Sequence, residues 1–242
     1  LKAIGIIPAR FGSSRFPGKP LADIKGKTMI RRVYEQASLS KALSDVVVAT
    51  DDDRIMKEVK SFGGKSIMTG GHHKSGTDRC FEALEKLGSN WDVVVNIQGD
   101  EPFIHPEQID EVVKCFDNKT VQISTLCHKI EEPRVLQQAS IVKVVRNTKG
   151  QALYFSRSPI PFFREDGGKP WTQKFDYMKH IGIYAYRAEV LKELVKLAPS
   201  SLELAESLEQ LRWLENGYSI NVEVTHKESV SIDTPEDLQK IL

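Results

Sequence analysis

Apolar and polar positions along the first half of the chain repeat in one order: a short apolar run, a polar loop, then an amphipathic stretch. Ile4-Gly5-Ile6-Ile7 reads as a buried strand and breaks at Pro8 into a loop that runs to Pro20. Thr28 is placed to cap a helix to about Ala37, with Met29, Ile30, Val33 and Ala37 on one face. The β-branched run Asp45 to Thr50 fits a strand covered on both sides in a parallel sheet. Asp51-Asp52-Asp53 leads into a helix from about Ile55 to Phe62, ended by Gly63-Gly64, and Lys65 to Met68 makes a short strand. A Gly-rich loop, Thr69 to Thr77, precedes an amphipathic helix through Leu87. Trp91 to Ile97 is a further buried strand, Pro106 opens a helix to about Phe116, and Gln122 to His128 is again a strand. Strands and helices alternating through short links predict an α/β fold, a three-layer α/β/α sandwich on a mostly parallel, Rossmann-like sheet.

The pattern changes near residue 130. Ile141 to Arg146, Ala152 to Arg157 and Lys179 to Arg187 read as strands without helical crossovers, which predicts a smaller antiparallel extension over about 130–187. That extension is expected to lie within a single domain spanning 1–242, to wall the pocket and to pair subunits. The long loop before the last of these strands carries Pro159, Pro161, Gly167, Gly168 and Pro170, and suits either a lid or an oligomer contact. Helices are predicted at Ala188 to Lys196 and Leu202 to Asn216, and a strand at Ile220 to Thr225. Strand-like Val230-Ser231-Ile232 then leads to a last helix capped by Thr234 and begun by Pro235.

Composition narrows the class. The chain has 242 residues, 40% of them hydrophobic and 28% charged, as in an ordinary globular protein with a substantial core. A net charge of +1 argues against non-specific nucleic-acid binding. Cys80, Cys115 and Cys127 lack metal-ligand spacing and read as small buried hydrophobes. No signal peptide or membrane-length apolar run is visible, so the cytoplasm is the expected home.

The polar clusters fall where ligands bind in open α/β sheets, at the carboxyl ends of strands: Ala9 to Lys19, Thr69 to Arg79 and Gln98 to Glu101. The first loop holds Gly12, Gly18, Arg10, Arg15 and Lys19, a composition suited to a polyanion. It is not a P-loop, because five residues separate Gly12 from Gly18 and Pro20 follows Lys19. It also lacks the Rossmann glycine pattern, so any metal must be held from elsewhere in the chain. Asp100 ends an apolar strand and suits Mg²⁺ or an Asx-type turn before Pro102. Helix capping alone accounts for Asp233, and it is the preferred account of Asp51 and Asp53 over an Asp-x-Asp manganese site. Thr77 and Asp78 suit a helix cap, while Ser75, Gly76 and Arg79 suit contact with a base or ribose. His72 and His73, being adjacent, read as loop residues. In strand alternation His180, Gly182, Tyr184 and Tyr186 share a face fit for a polyhydroxylated ligand, and Arg157 offers a fork for a carboxylate. No Ser/His/Asp triad is evident.

Taken together these segments resemble a known family. Pro8-Ala9-Arg10 with Ser13 to Leu21, Ser75 to Arg79, Asn96 to Pro102, Tyr154 to Pro161, His180 to Tyr184 and Glu206 to Arg212 are similar to the cytidylyltransferases that activate acidic sugars, in particular 3-deoxy-manno-octulosonate (Kdo). The resemblance runs essentially end to end. It implies transfer of CMP from CTP to Kdo with release of diphosphate, for lipopolysaccharide synthesis, by a Mg²⁺-dependent homodimer. It implies Pro8, Ala9, Arg10, Ser13 and Lys19 at the nucleotide, with Arg10, Ser13 and Lys19 on the triphosphate. Ser75, Gly76, Arg79 and Gln98 fall at cytidine, and Asp100 and Asp233 at magnesium, which reverses the capping account of Asp233. Arg157, His180, Tyr184, Glu209 and Gln210, with Gln98, match the sugar pocket. Asp100, Asp233, Lys19 and Arg10 would carry catalysis. Rival readings are a sialic-acid-activating relative, an Asp-x-Asp glycosyltransferase and a non-catalytic nucleotide-binding regulator.

Overall fold

The computed structural model describes residues 1–12, 16–88, 90–164, 168–228 and 230–240. The opening apolar run forms β1 (Ala3–Ala9), and a small ribbon of β2 (Asp23–Ile24) and β3 (Lys27–Thr28) leads to α1 (Met29–Ala37). Thr28 caps α1 by accepting from the Arg31 amide at 3.4 Å, and Met29, Ile30, Val33 and Ala37 are its buried face. β4 (Leu43–Thr50), α2 (Asp53–Ser61), β5 (Ser66–Met68), α3 (Gly76–Leu87), β6 (Val93–Asn96) and α4 (Pro106–Lys114) continue the alternation. Then come β7 (Ile123–Lys129), the single turn α5 (Pro133–Leu136), β8 (Lys143–Arg146), β9 (Ala152–Ser156) and β10 (Met178–Arg187). The chain closes through α6 (Ala188–Leu194), α7 (Ser201–Glu206), α8 (Glu209–Glu215), β11 (Ile220–Val224) and α9 (Pro235–Gln239).

Among the described residues one sheet runs in the order β11-β7-β10-β6-β1-β4-β5, with β8 joined to β10 and β9 to β8. β6, β1, β4 and β5 are mutually parallel, as are β11 and β7. β10 lies antiparallel between β6 and β7, so the last strand of the 130–187 region is built into the centre of the sheet. Two apolar layers cover the sheet. One packs Ile7, Val48 and Val95 under Ile30, Ile55 and Ile109; the other packs Ile6, Val47 and Val94 under Cys80, Leu191 and Trp213. The result is the expected three-layer sandwich. All three cysteines are free; Cys80 and Cys127 are buried and Cys115 partly so. No described helix is long and apolar enough to cross a membrane.

Local differences from the sequence reading have identifiable causes. Ser75, rather than Thr77 or Asp78, caps α3, and Asp78 completes a capping box by accepting from the Ser75 amide. The expected helix from Leu202 to Asn216 is two helices, broken at Ser207, whose φ of 53° is left-handed. Val230-Ser231-Ile232 forms no strand; the Ile232 amide instead donates to the Asp100 carbonyl at 2.9 Å.

Candidate active site

Three loops at the carboxyl ends of β1, β5 and β6 converge on a cleft of about 230 Å³. Its lining includes Pro8, Ala9, Arg10 and Lys19 from the first loop, and Ser75, Gly76 and Arg79 from the start of α3. Gln98, Gly99 and Asp100 follow β6, and Asp233 comes from the C-terminal segment. The loops touch closely: a Cβ on Gly99 would lie 2.8 Å from the Pro8 carbonyl oxygen, so a side chain there would force the two loops apart. Gly18 takes a φ of 72°, which turns the chain so that its amide donates to the Phe11 carbonyl at 3.0 Å and Lys19 faces the cleft. Ser13 lies outside the described residues.

Three charged side chains of the lining meet one another. Lys19 Nζ lies 2.7 Å from Asp100 Oδ2 and 3.5 Å from Asp233 Oδ1, so one ammonium spans two carboxylates contributed by residues far apart in sequence. The bond from the Ile232 amide to the Asp100 carbonyl holds the two acidic segments side by side. No group of three or more His, Cys, Asp or Glu that could hold a metal occurs among the described residues. A pair of carboxylates fits Mg²⁺, which keeps water and substrate phosphate oxygens in most of its coordination positions.

The remaining predicted residues sit elsewhere. His180, Tyr184, Glu209, Gln210 and Arg157 do not line the cleft. Glu209, at the start of α8, accepts from Thr77 Oγ1 at 2.7 Å and so meets the first turn of α3 that borders it. Burial raises the Glu209 carboxyl above its ordinary value, opposed by that hydroxyl and by Arg212. Tyr184 is buried, with its ring 5.2 Å from His180 and edge-on to Trp213 at 5.1 Å. Burial and the nearby Glu209 hold its phenol well above the ordinary range. Burial also pushes His180 down to about 3. Its Nε2 is 2.9 Å from Thr125 Oγ1, whose single proton is drawn to the Ile183 carbonyl at 2.7 Å; His180 is therefore the donor in that pair. Gln210 is buried at the start of α8. Arg157 spends its guanidinium on backbone: Nε donates to the Glu206 carbonyl at 2.7 Å, Nη1 to Ala139 at 3.1 Å and Nη2 to Ser207 at 3.3 Å.

His72 and His73 lie in the loop before α3, as expected, and His73 and Lys74 also line the cleft. His73 Nε2 is hydrogen-bonded to Glu82. Burial would raise the Glu82 carboxyl, but Lys86, the Gly70 amide and His73 outweigh it and bring it to about 2. The one sequence signal for His73 is its place two residues before the α3 cap. Of the three acids Asp51 to Asp53, Asp52 caps α2, Asp53 stands in its first turn, and Asp51 pairs with Arg79 at 2.9 Å.

A family model described as cytidylyltransferase matches residues 4–232. The 3-deoxy-manno-octulosonate cytidylyltransferase of Parabacteroides distasonis is 55% identical, the match covering 100% of this chain and 97% of that protein. The same-named protein of Bacteroides thetaiotaomicron is 57% identical over 99% of this chain and 96% of its own length. A solved structure of CMP:2-keto-3-deoxy-manno-octonic acid synthetase complexed with CTP superposes with a TM-score of 0.92 at 46% identity, covering 100% of this chain and 97% of that one. Matched from end to end in sequence and in fold, the chain belongs to the cytidylyltransferase family, among the 3-deoxy-manno-octulosonate cytidylyltransferases.

Proposed function

We propose that this chain activates Kdo: its anomeric hydroxyl attacks the α-phosphorus of CTP and gives up its proton to solvent, the bond to the β-phosphate oxygen breaks, and CMP-Kdo and diphosphate leave. The observation that carries this reading is the Asp100–Lys19–Asp233 cluster in the lining of a cleft formed by loops at strand carboxyl ends. Both substrates are anions, so the site must supply positive charge and hold them in line. Arg10 and Lys19, with Ser13, would bind the triphosphate and stabilise charge developing on the departing diphosphate. Ser75, Gly76, Arg79 and Gln98 would hold cytidine beside Pro8 and Ala9. Asp100 and Asp233 would hold Mg²⁺, which when bound supplies positive charge to the phosphate oxygens and to the attacking hydroxyl. On the sugar side we assign Arg157, His180, Tyr184, Glu209 and Gln210, with Gln98. Glu209 supports this assignment through its bond to Thr77 at the cleft border. Arg157 would receive the sugar carboxylate by exchanging backbone carbonyls for it.

In the same reading the whole chain is one nucleotidyltransferase domain that works in the cytoplasm, where CTP is available, and its product feeds lipopolysaccharide assembly. Residues from about 130 to 187 serve the sugar side and a homodimer contact; exposed Leu153 and Phe162 lie in that region. Light scattering of the purified chain should report twice the chain mass. The decisive assay is diphosphate release from CTP and Mg²⁺ with Kdo or a sialic acid as acceptor. Release with Kdo supports the proposal; release with the sialic acid alone, or with neither sugar, overturns it.

A further inference from the structure

The acidic run after β4 contains one side chain that helix capping does not explain. Asp52 accepts from the Arg54 amide at 2.9 Å, as the cap of α2 should, and Asp53 stands in the first turn. Asp51 reaches instead to the first turn of α3, where Oδ2 accepts from Arg79 Nη2 at 2.9 Å. Nη1 of the same guanidinium donates to Thr69 Oγ1 at 2.6 Å. The Arg79 side chain is 4% exposed and that of Asp51 20%, so the pair is largely withdrawn from solvent while Arg79 still borders the cleft.

A guanidinium carries five N–H donors in one plane. Asp51 and Thr69 take one each and fix the plane. Nε–H and one hydrogen on each Nη are left for a ligand. An arginine held in this way is a rigid array of donors and cannot become an acceptor. Cytosine places two acceptors, O2 and N3, side by side; uracil places O2 beside an N3–H donor. A fixed donor array therefore pairs with the first edge and leaves an N–H facing an N–H in the second.

We propose that Asp51, together with Thr69, is a positioning residue that fixes Arg79 against the O2/N3 edge of the pyrimidine and so selects CTP over UTP. This rests on the nucleotide reading of the cleft given above. Without Asp51 the guanidinium would be both unneutralised and free to turn, and its remaining donors would no longer be aimed.

The test is equilibrium binding of CTP and of UTP to the full-length chain with Mg²⁺ and no sugar, followed by steady-state kinetics with both substrates. The wild type is expected to favour CTP. Asp51→Ala is expected to weaken CTP binding by roughly ten- to hundredfold, with a smaller change for UTP, so that the preference collapses. At saturating CTP, kcat should change less than about threefold, because the effect lies in ground-state binding. Asp51→Asn, which retains an acceptor but not the charge, should fall between. A merely structural role would lower the melting temperature and both affinities together with the preference intact, and that result overturns the proposal. If Asp51→Ala does not fold, Asp51→Asn and Thr69→Val decide: an unchanged preference in both overturns it. Equal affinity of the wild type for CTP and UTP overturns it as well. A wild type that binds neither nucleotide overturns the nucleotide reading and this inference with it.

Discussion

Lys19 between two carboxylates sets what single substitutions at the cleft should do. Asp100→Asn removes a negative charge but keeps the shape, and Lys19 retains Asp233 at 3.5 Å. The fold should therefore persist, with stability changed by no more than about 1 kcal/mol. Turnover should fall by roughly three orders of magnitude, the scale on which electrostatic groups act at reacting centres. Diphosphate release and a melting curve on the same sample check both halves; near-normal release would remove Asp100 from the mechanism. His180 gives a second residue-scale prediction, this time in pH. Burial lowers it from 6.5 to about 3, so between those values the unfolded chain binds the proton and the folded chain does not. Its contribution is complete above pH 6.5 and is lost as pH falls towards 3. The stability gap between wild type and His180→Gln should thus narrow on acidification by up to about 1.4 kcal/mol per pH unit. Chemical denaturation in a pH series measures this, and a gap that is constant with pH would show that His180 is not held neutral.

The elements bring three loops together, and Gly99 is where that arrangement leaves no spare room. Adding a methyl group puts a carbon 2.8 Å from the Pro8 carbonyl oxygen, and neither partner is the flexible end of a side chain. Gly99→Ala should destabilise by about 1–3 kcal/mol and reduce activity more than tenfold, because the β1 and β6 loops carry Arg10, Lys19 and Asp100. Unfolding midpoints and diphosphate release test it; a variant as stable and active as wild type would mean the loops separate freely. The same elements show what was legible in the chain. The strand–helix alternation, the α1 cap at Thr28 and the convergence of polar loops follow from local periodicity and strand-end placement, and all were readable. The break at Ser207 was not, because no local residue requires it. It is accompanied by Arg157 bonds to the Glu206 and Ser207 carbonyls, about fifty positions away in sequence. Nor did the fork of Arg157 announce that backbone carbonyls would occupy it. Asp51 was ambiguous for a related reason: a local cap and a distant arginine are equally good partners for an aspartate, and only the fold shows which one it has.

At the scale of the whole molecule, the site is finished by the end of the chain. β1 and β6 lie side by side and supply Lys19 and Asp100 through their following loops, whereas Asp233 arrives after β11, at the far edge of the sheet. Besides the pair with Lys19, two contacts of Ile232 bring it back. The Ile232 amide bonds to the Asp100 carbonyl at 2.9 Å, and the Ile232 side chain is fully buried with Ile24 and Met29, against which Phe16, Phe103 and Leu238 pack. Phe16 belongs to the first loop, so the same small cluster anchors both that loop and the C-terminal carboxylate. Ile232→Ala keeps Asp233 and every charged group of the cleft but leaves a void in that anchor. It should destabilise by about 2–5 kcal/mol, and the loss should centre on this cluster rather than on the sheet, whose two apolar layers do not include Ile232. Hydrogen exchange should therefore quicken at Phe16 to Leu21 and at Ile232 to Leu238 while β1, β4 and β6 stay protected. Activity should drop through a higher requirement for Mg²⁺, since the two carboxylates would be held together less often. If exchange quickens uniformly and the Mg²⁺ requirement does not move, Ile232 supports only the fold, and the joining of Asp233 to Asp100 must depend on something other than this anchor.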